Sequence, residues 1–207
     1  MVGAFNQFNQ NMRYVKELDA LYGYLSTTLK LPNDLSDLLR AQWVMSVSAL
    51  DKLIHEFIRI GMVEAFEGQR PRTRKYQSFG ISTSTMTNII SSAGSSSSVY
   101  PPSYWFEQEI VQRHQHLAFQ DPDKIADGLS LIWDESHKWQ YLAGPMGMSQ
   151  QDLVTTIKTI ATRRNKIVHE ADFNILTGLR NQIDKIDTDT VVPFIIRLGE
   201  EIYNAIR

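Results

Sequence analysis

The chain contains no cysteine. This excludes disulfides, thiolate zinc sites and a cysteine nucleophile. Long apolar runs are also missing, since none approaches the roughly 20 residues needed to cross a bilayer. Met1 to Gln7 has no basic region followed by an apolar stretch, so no signal peptide is expected and the cytoplasm is the expected address. Nor is there an excess of one charge. At a net charge of −2 the protein is not a polycation, and a nucleic-acid partner would have to be drawn by a local patch. A glycine-rich phosphate loop is lacking as well: Gly144-Pro145-Met146-Gly147 has neither the lysine nor the preceding strand.

What remains is an ordinary globular composition over 207 residues, 43% hydrophobic and 10% aromatic, enough for a real core in one domain spanning residues 1–207. Strand patterns are weak throughout and helical periodicity dominates, which predicts an all-α fold of four to five main helices. Phe8, Met12, Val15, Leu18 and Leu25 predict an amphipathic helix from about Phe5 to Lys30. Pro32 and Asn33-Asp34 punctuate the chain and cap a second helix, about Asp34 to Met62, with the stripe Trp43, Val47, Leu50, Ile54, Phe57 and Ile58. Its polar face carries Asp51, His55 and Arg59 at four-residue steps.

Residues 69–103 read as a flexible Ser/Thr/Gly-rich insertion with a short helix around Thr83 to Ser91, and Gly94 to Ser98 is its most mobile part. Arg70, Arg72, Arg74 and Lys75 make a compact basic patch at its start, either a solvated loop or a track for an RNA backbone. A helix follows from Ser103 to about His116. Next comes a shorter one capped by Asp121 with Pro122 at its first position, burying Ile125, Leu129 and Ile132. His114 and His116 point about 160° apart on a helix and cannot chelate one ion, so no metal site is expected. Trp133, Trp139 and Tyr141 are expected in the core or at an interface between copies. Gly144 to Gly147 reads as a break, Ser149 as the cap of the next helix, and Pro193 as the start of the last, through Ile206.

The helix after Ser149 carries the chemistry. At about 100° per residue, Leu153, Ile157, Ile160 and Val168 define its core-facing stripe, and Arg164 falls in the middle of it. A guanidinium in an apolar stripe is costly unless it meets an anion or lies at a cleft. His169 lies about 140° away, on the face of Thr162 and Asn165, so the two converge only if the helix bends or ends there or if a second chain supplies one of them. The alternative is an Arg164 paired with Asp172 and a His169 capping its own helix.

Arg164-Asn165-Lys166-Ile167-Val168-His169 resembles the signature of the HEPN superfamily, an arginine followed after four to six positions by histidine. The surroundings resemble the RiboL-PSP-HEPN family more narrowly. Ser46-Val47-Ser48-Ala49-Leu50-Asp51, the turn from Phe119-Gln120 to Ile125-Ala126-Asp127, and Arg163-Arg164-Asn165 leading to His169-Glu170-Ala171-Asp172 carry the likeness in order along most of the chain. One departure is Ala171, where toxin members have a tyrosine two residues after the histidine.

The resemblance implies a helical bundle that pairs with a second copy and cleaves RNA without a metal or other cofactor, in phage defence or toxin-like roles. It assigns Arg164 and His169 as the catalytic pair and Asn165 as the polar neighbour that organises them. Beside the resemblance, Asp51 and His55 read either as an ordinary exposed pair on the second helix or as support for that cleft, and Arg163 joins the basic patch as a candidate for binding RNA. The chemistry agrees: histidine, with an ordinary pKa of roughly 6.5, transfers protons near neutrality, and a guanidinium fork matches two phosphate oxygens. Two other readings stand beside this one. The first is a catalytically silent helical dimer that binds RNA or a protein through the same groove. The second is a subunit whose partner, encoded by a neighbouring defence gene, carries the catalysis.

Overall fold

Phe8, Met12 and Val15 are all buried on one face of α1 (Val2–Gly23). In this computed structural model, which describes residues 1–94 and 99–207, α1 widens into a π-helical turn over Tyr24–Thr28 and stops short of Lys30, whose φ is +49°. Asp34 then accepts the Ser36 N–H at 2.8 Å and α2 (Ser36–Phe66) begins. The six residues of its expected stripe are all buried. This helix is the centre of the protein: α1, α5, α8 and α9, whose ranges follow, all pack against it.

Within residues 69–103 the chain makes α3 (Arg74–Gln77) and α4 (Thr83–Ala93), the latter close to the short helix predicted there. Ser95 to Ser98 lie outside the described residues. Helix α4 lies against α5 (Pro102–His114), and the joint is polar. The buried Glu109 carboxylate accepts the Ser82 and Thr85 hydroxyls at 2.8 and 2.6 Å and the Ser82 N–H at 3.1 Å. Asp121 caps α6 (Pro122–Leu129), as expected, by accepting the Asp123 N–H.

Two expected boundaries are corrected. Gly144 does not break the chain, because α7 (Lys138–Met146) runs through Gly144 and Pro145 and ends at Gly147, whose φ of +69° makes the left-handed cap. Trp139 is buried in this helix, while Tyr141 is exposed and meets the half-buried Trp133 edge-on. After α8 (Gln150–His169), which is capped by Ser149 as read from sequence, the last helix does not start at Pro193 but at Lys185: α9 is Lys185–Ile206. Asp184 and Asp187 satisfy each other's backbone N–H groups in a capping box, and Val191, Val192 and Ile195 bury the added turns. Pro193 inside the helix removes one backbone hydrogen bond, a loss that this burial offsets.

Gly199 brings α9 close to α1 and α2, since a Cβ there would sit 2.7 Å from the Phe8 ring. Among the described residues the β structure is one isolated bridge, Phe173 to Arg180, and the fold is all-α. No helix among the described residues is long and apolar enough to cross a membrane.

Candidate active site

Leu153, Ile157 and Ile160 hold α8 to the core, as their spacing predicts. Val168 does not continue the stripe and is 44% exposed. The reason is the direction of α2. Trp43 Nε1 donates to the Ile160 carbonyl and Arg40 Nε bonds the Asp172 that Arg163 also bonds, so α2 runs antiparallel to α8 and begins opposite the last turns of α8. Beyond Ile160 the apolar face of α8 therefore runs out from under its cover, and Arg164 stands where it does so.

Arg164 is half-buried. Its Nη1 donates to Asn165 Oδ1 at 3.1 Å, and its Nε is buried with no hydrogen-bond partner among the described residues. Among the described residues no carboxylate claims it. Asp172, the candidate partner in the helix-terminal reading, belongs instead to Arg163 and Arg40: its Oδ2 accepts Arg163 Nη2 at 2.8 Å and Arg40 Nε at 2.9 Å. Asp172 is fully buried. Its N–H donates to the Lys166 carbonyl at 3.0 Å, and Asn181 Nδ2 reaches both its carboxylate and its carbonyl. Ala171 and Asp172 have φ of +48° and +62°, so the chain leaves α8 through two left-handed residues fixed by this network. His169 closes the helix, exposed, with no side-chain partner among the described residues. The end of α8 thus holds one unclaimed guanidinium and one unclaimed imidazole, diverging by about 140° within a single chain.

The other expected site residues lie elsewhere. Asp51 accepts the Phe119 N–H and is 3.9 Å from His55, whose Nε2 meets the Leu117 carbonyl at 3.1 Å and whose ring packs on Phe119. They brace the turn between α5 and α6. Asp51 stands about 12 Å along α2 from Trp43, in the direction away from Arg164. The structure does not bring this pair to Arg164 and His169. In the basic segment, Arg70 bonds Glu64 at 2.9 Å and the Ile206 carbonyl at 2.8 Å, Arg72 bonds the Ala65 carbonyl, and Lys75 pairs with Asp127. These three fasten the chain to itself, and Arg74 alone of the four is exposed with no side-chain partner among the described residues. Arg163 is tied to Asp172 and to the Gln182 carbonyl.

The sequence reading missed two sets of residues. Arg40 lies on the apolar stripe of α2, one turn before Trp43, and carries the same signal that singled out Arg164. Lys158 and Lys166 are exposed on the face of α8 that His169 shares. His114 is buried between the rings of Phe79 and Phe119 while His116 is exposed, so the two diverge.

The fold and this site define a helical bundle built around an Arg-to-His motif at a helix end. The chain belongs to the RiboL-PSP-HEPN family, whose model matches residues 10–207. No curated protein and no solved structure matches it.

Proposed function

We propose that the protein is a metal-independent endoribonuclease in which Arg164 holds the scissile phosphate, His169 moves the proton and Asn165 orients the guanidinium. One observation carries the reading: at this end of the bundle the buried Asp172 carboxylate is consumed by Arg40 and Arg163, leaving Arg164 partly desolvated, with the Asn165 side chain as its partner and no carboxylate on it among the described residues. Such a group is stabilised by an anion from outside.

In the proposed reaction the 2′-hydroxyl gives up its proton to an imidazole and attacks the adjacent phosphorus. The bond from phosphorus to the 5′-oxygen breaks, and that oxygen takes a proton from an imidazolium. The products are a 2′,3′-cyclic phosphate and a 5′-hydroxyl. Arg164 contributes donors for the charge on the equatorial oxygens, and two copies of His169 divide the base and acid roles. Lys158 and Lys166 give the RNA backbone a positive approach on the His169 face. Phage defence and toxin-like cleavage, the roles implied by the family resemblance, belong to this proposal.

The test is incubation of total RNA and of DNA with the wild type and with His169→Ala, in EDTA. Cleavage of RNA alone, by the wild type alone, with cyclic phosphate ends, is the expected outcome. Intact RNA with retained binding marks the silent dimer instead.

A further inference from the structure

From Leu153 to His169 the sequence carries four cations, Lys158, Arg163, Arg164 and Lys166, four threonines and no acid, in a chain whose net charge is −2. Packing spends one of the four, since Arg163 is held by Asp172. Lys158 and Lys166 stay exposed with no side-chain partner among the described residues, whereas Lys52, Lys75 and Lys185 each hold a carboxylate. The positive charge of α8 is left for something outside the chain.

Its arrangement is regular. Lys158, Thr162 and Lys166 follow one another at four-residue steps within an arc of about 80°, and His169, where the row ends, falls inside the same arc. Together with Thr155, Thr159 and Arg163 they line a hollow of about 500 Å³ along this face, and no carboxylate borders it among the described residues. Four residues of helix rise about 6 Å, close to the step between successive phosphates of an extended strand. One exposed lysine holds an anion weakly. A row whose spacing matches the repeat of its ligand adds its contacts along one molecule.

We propose that Lys166, Thr162 and Lys158, in that order away from His169, are successive phosphate subsites for an RNA strand lying along α8. The protein then cuts well only where the strand runs on for about three phosphates beyond the scissile one, and bonds nearer an RNA end are poor substrates. Continuity with Arg164, whose buried Nε also lacks a partner among the described residues, favours a strand over an acidic protein. The position of the cut rests on the nuclease reading; the row itself stands on spacing and charge.

The test uses all-deoxy strands with a single ribose at the cut and flanks of none to about five phosphates on either side. For the wild type KM should fall with each added phosphate, about tenfold in all, and level off after about the third, with kcat little changed. Lys166→Ala should lose the gain of the first added phosphate, and Lys158→Ala that of the third alone. Thr162→Glu, at an exposed helix position, should abolish most of the gain at an unchanged unfolding midpoint. A KM independent of flank length, or a gain that survives in Lys158→Ala/Lys166→Ala, would overturn the proposal. So would competition by inorganic phosphate or a mononucleotide as strong, phosphate for phosphate, as that of a strand, which marks a site for a free anion. Equal competition by polyglutamate of the same charge would mark a protein-binding face instead. If the wild type cuts nothing, the nuclease reading falls and the row is judged on all-deoxy strands without the ribose. Their affinity should rise with length to the same plateau and lose that rise in the double variant; affinity indifferent to length removes the row. Cleavage with no length dependence removes the row and keeps the nuclease.

Discussion

Arg163 donates to the buried Asp172 at 2.8 Å, and this bond, shared with Arg40 at 2.9 Å, is what leaves the neighbouring Arg164 unclaimed. The two adjacent arginines have opposite tasks: one closes the fold and the other faces outward.

That division predicts opposite mutational profiles. Asp172→Ala takes from Arg40 and Arg163 the buried carboxylate they share, leaves Arg40 as carboxylate contact only the longer one to the exposed Asp37 at 3.4 Å, and should cost about 3–5 kcal/mol, read as a large fall in urea midpoint. Arg164→Ala removes a guanidinium that has no carboxylate partner among the described residues and should change the midpoint little. Equal destabilisation by the two would mean that Arg164 is a structural residue.

Acid should loosen the protein in two stages. Burial, reinforced by the charges of His55, Lys75 and Arg113, pushes the His114 imidazole below its ordinary value. The unfolded chain therefore takes up a proton that the fold refuses, and stability falls as pH drops through about 6.5. Burial opposes charge on Glu109 too, but hydrogen bonds from Thr85, Arg113 and Ser82 outweigh it and hold the carboxyl at about 2. Its contribution is complete above the unfolded value of roughly 4.3 and is lost as pH falls toward 2. Glu109→Gln should cost about 1–3 kcal/mol at neutral pH and flatten the lower part of the profile, measured by urea unfolding from pH 7 to 3. An unchanged lower limb would show that the joint between α4 and α5 does not depend on this carboxylate.

Lys158 and Lys166 stand exposed on the His169 face, whereas Arg70 and Arg72 are spent on internal bonds. Replacing both lysines by alanine should weaken RNA binding for every sequence tried. The salt slope should shrink by about 0.7 per lost phosphate contact on single strands. Arg70→Ala should lower stability without changing that slope. The reverse pattern would return the RNA path to the segment from Arg70 to Lys75.

Much of this architecture is legible in the residues because it is local. The α2 stripe, the Asp121-Pro122 start and the Ser149 cap are short-range patterns with a physical cause. A proline reads as a helix start, so Pro193 places the last helix too late, while the Asp184 and Asp187 pair that begins it is a subtler signal. Arg164 stood out as a cation in an apolar stripe. That Arg163 and Arg40 would take Asp172 was hidden, because Arg40 lies 132 positions away in sequence. Asp51 and His55 share a polar helix face as expected. Which neighbour that face meets is a matter of packing, and it meets the turn at Phe119.

The most direct measurement is the cleavage rate of a defined RNA by the wild type, Arg164→Ala and His169→Ala, in EDTA, with unfolding midpoints measured alongside. The account predicts that His169→Ala lowers the rate by roughly 10²–10⁴-fold and Arg164→Ala by roughly 10²–10³-fold, both at near-wild-type stability. Cleavage undiminished in either variant would contradict it.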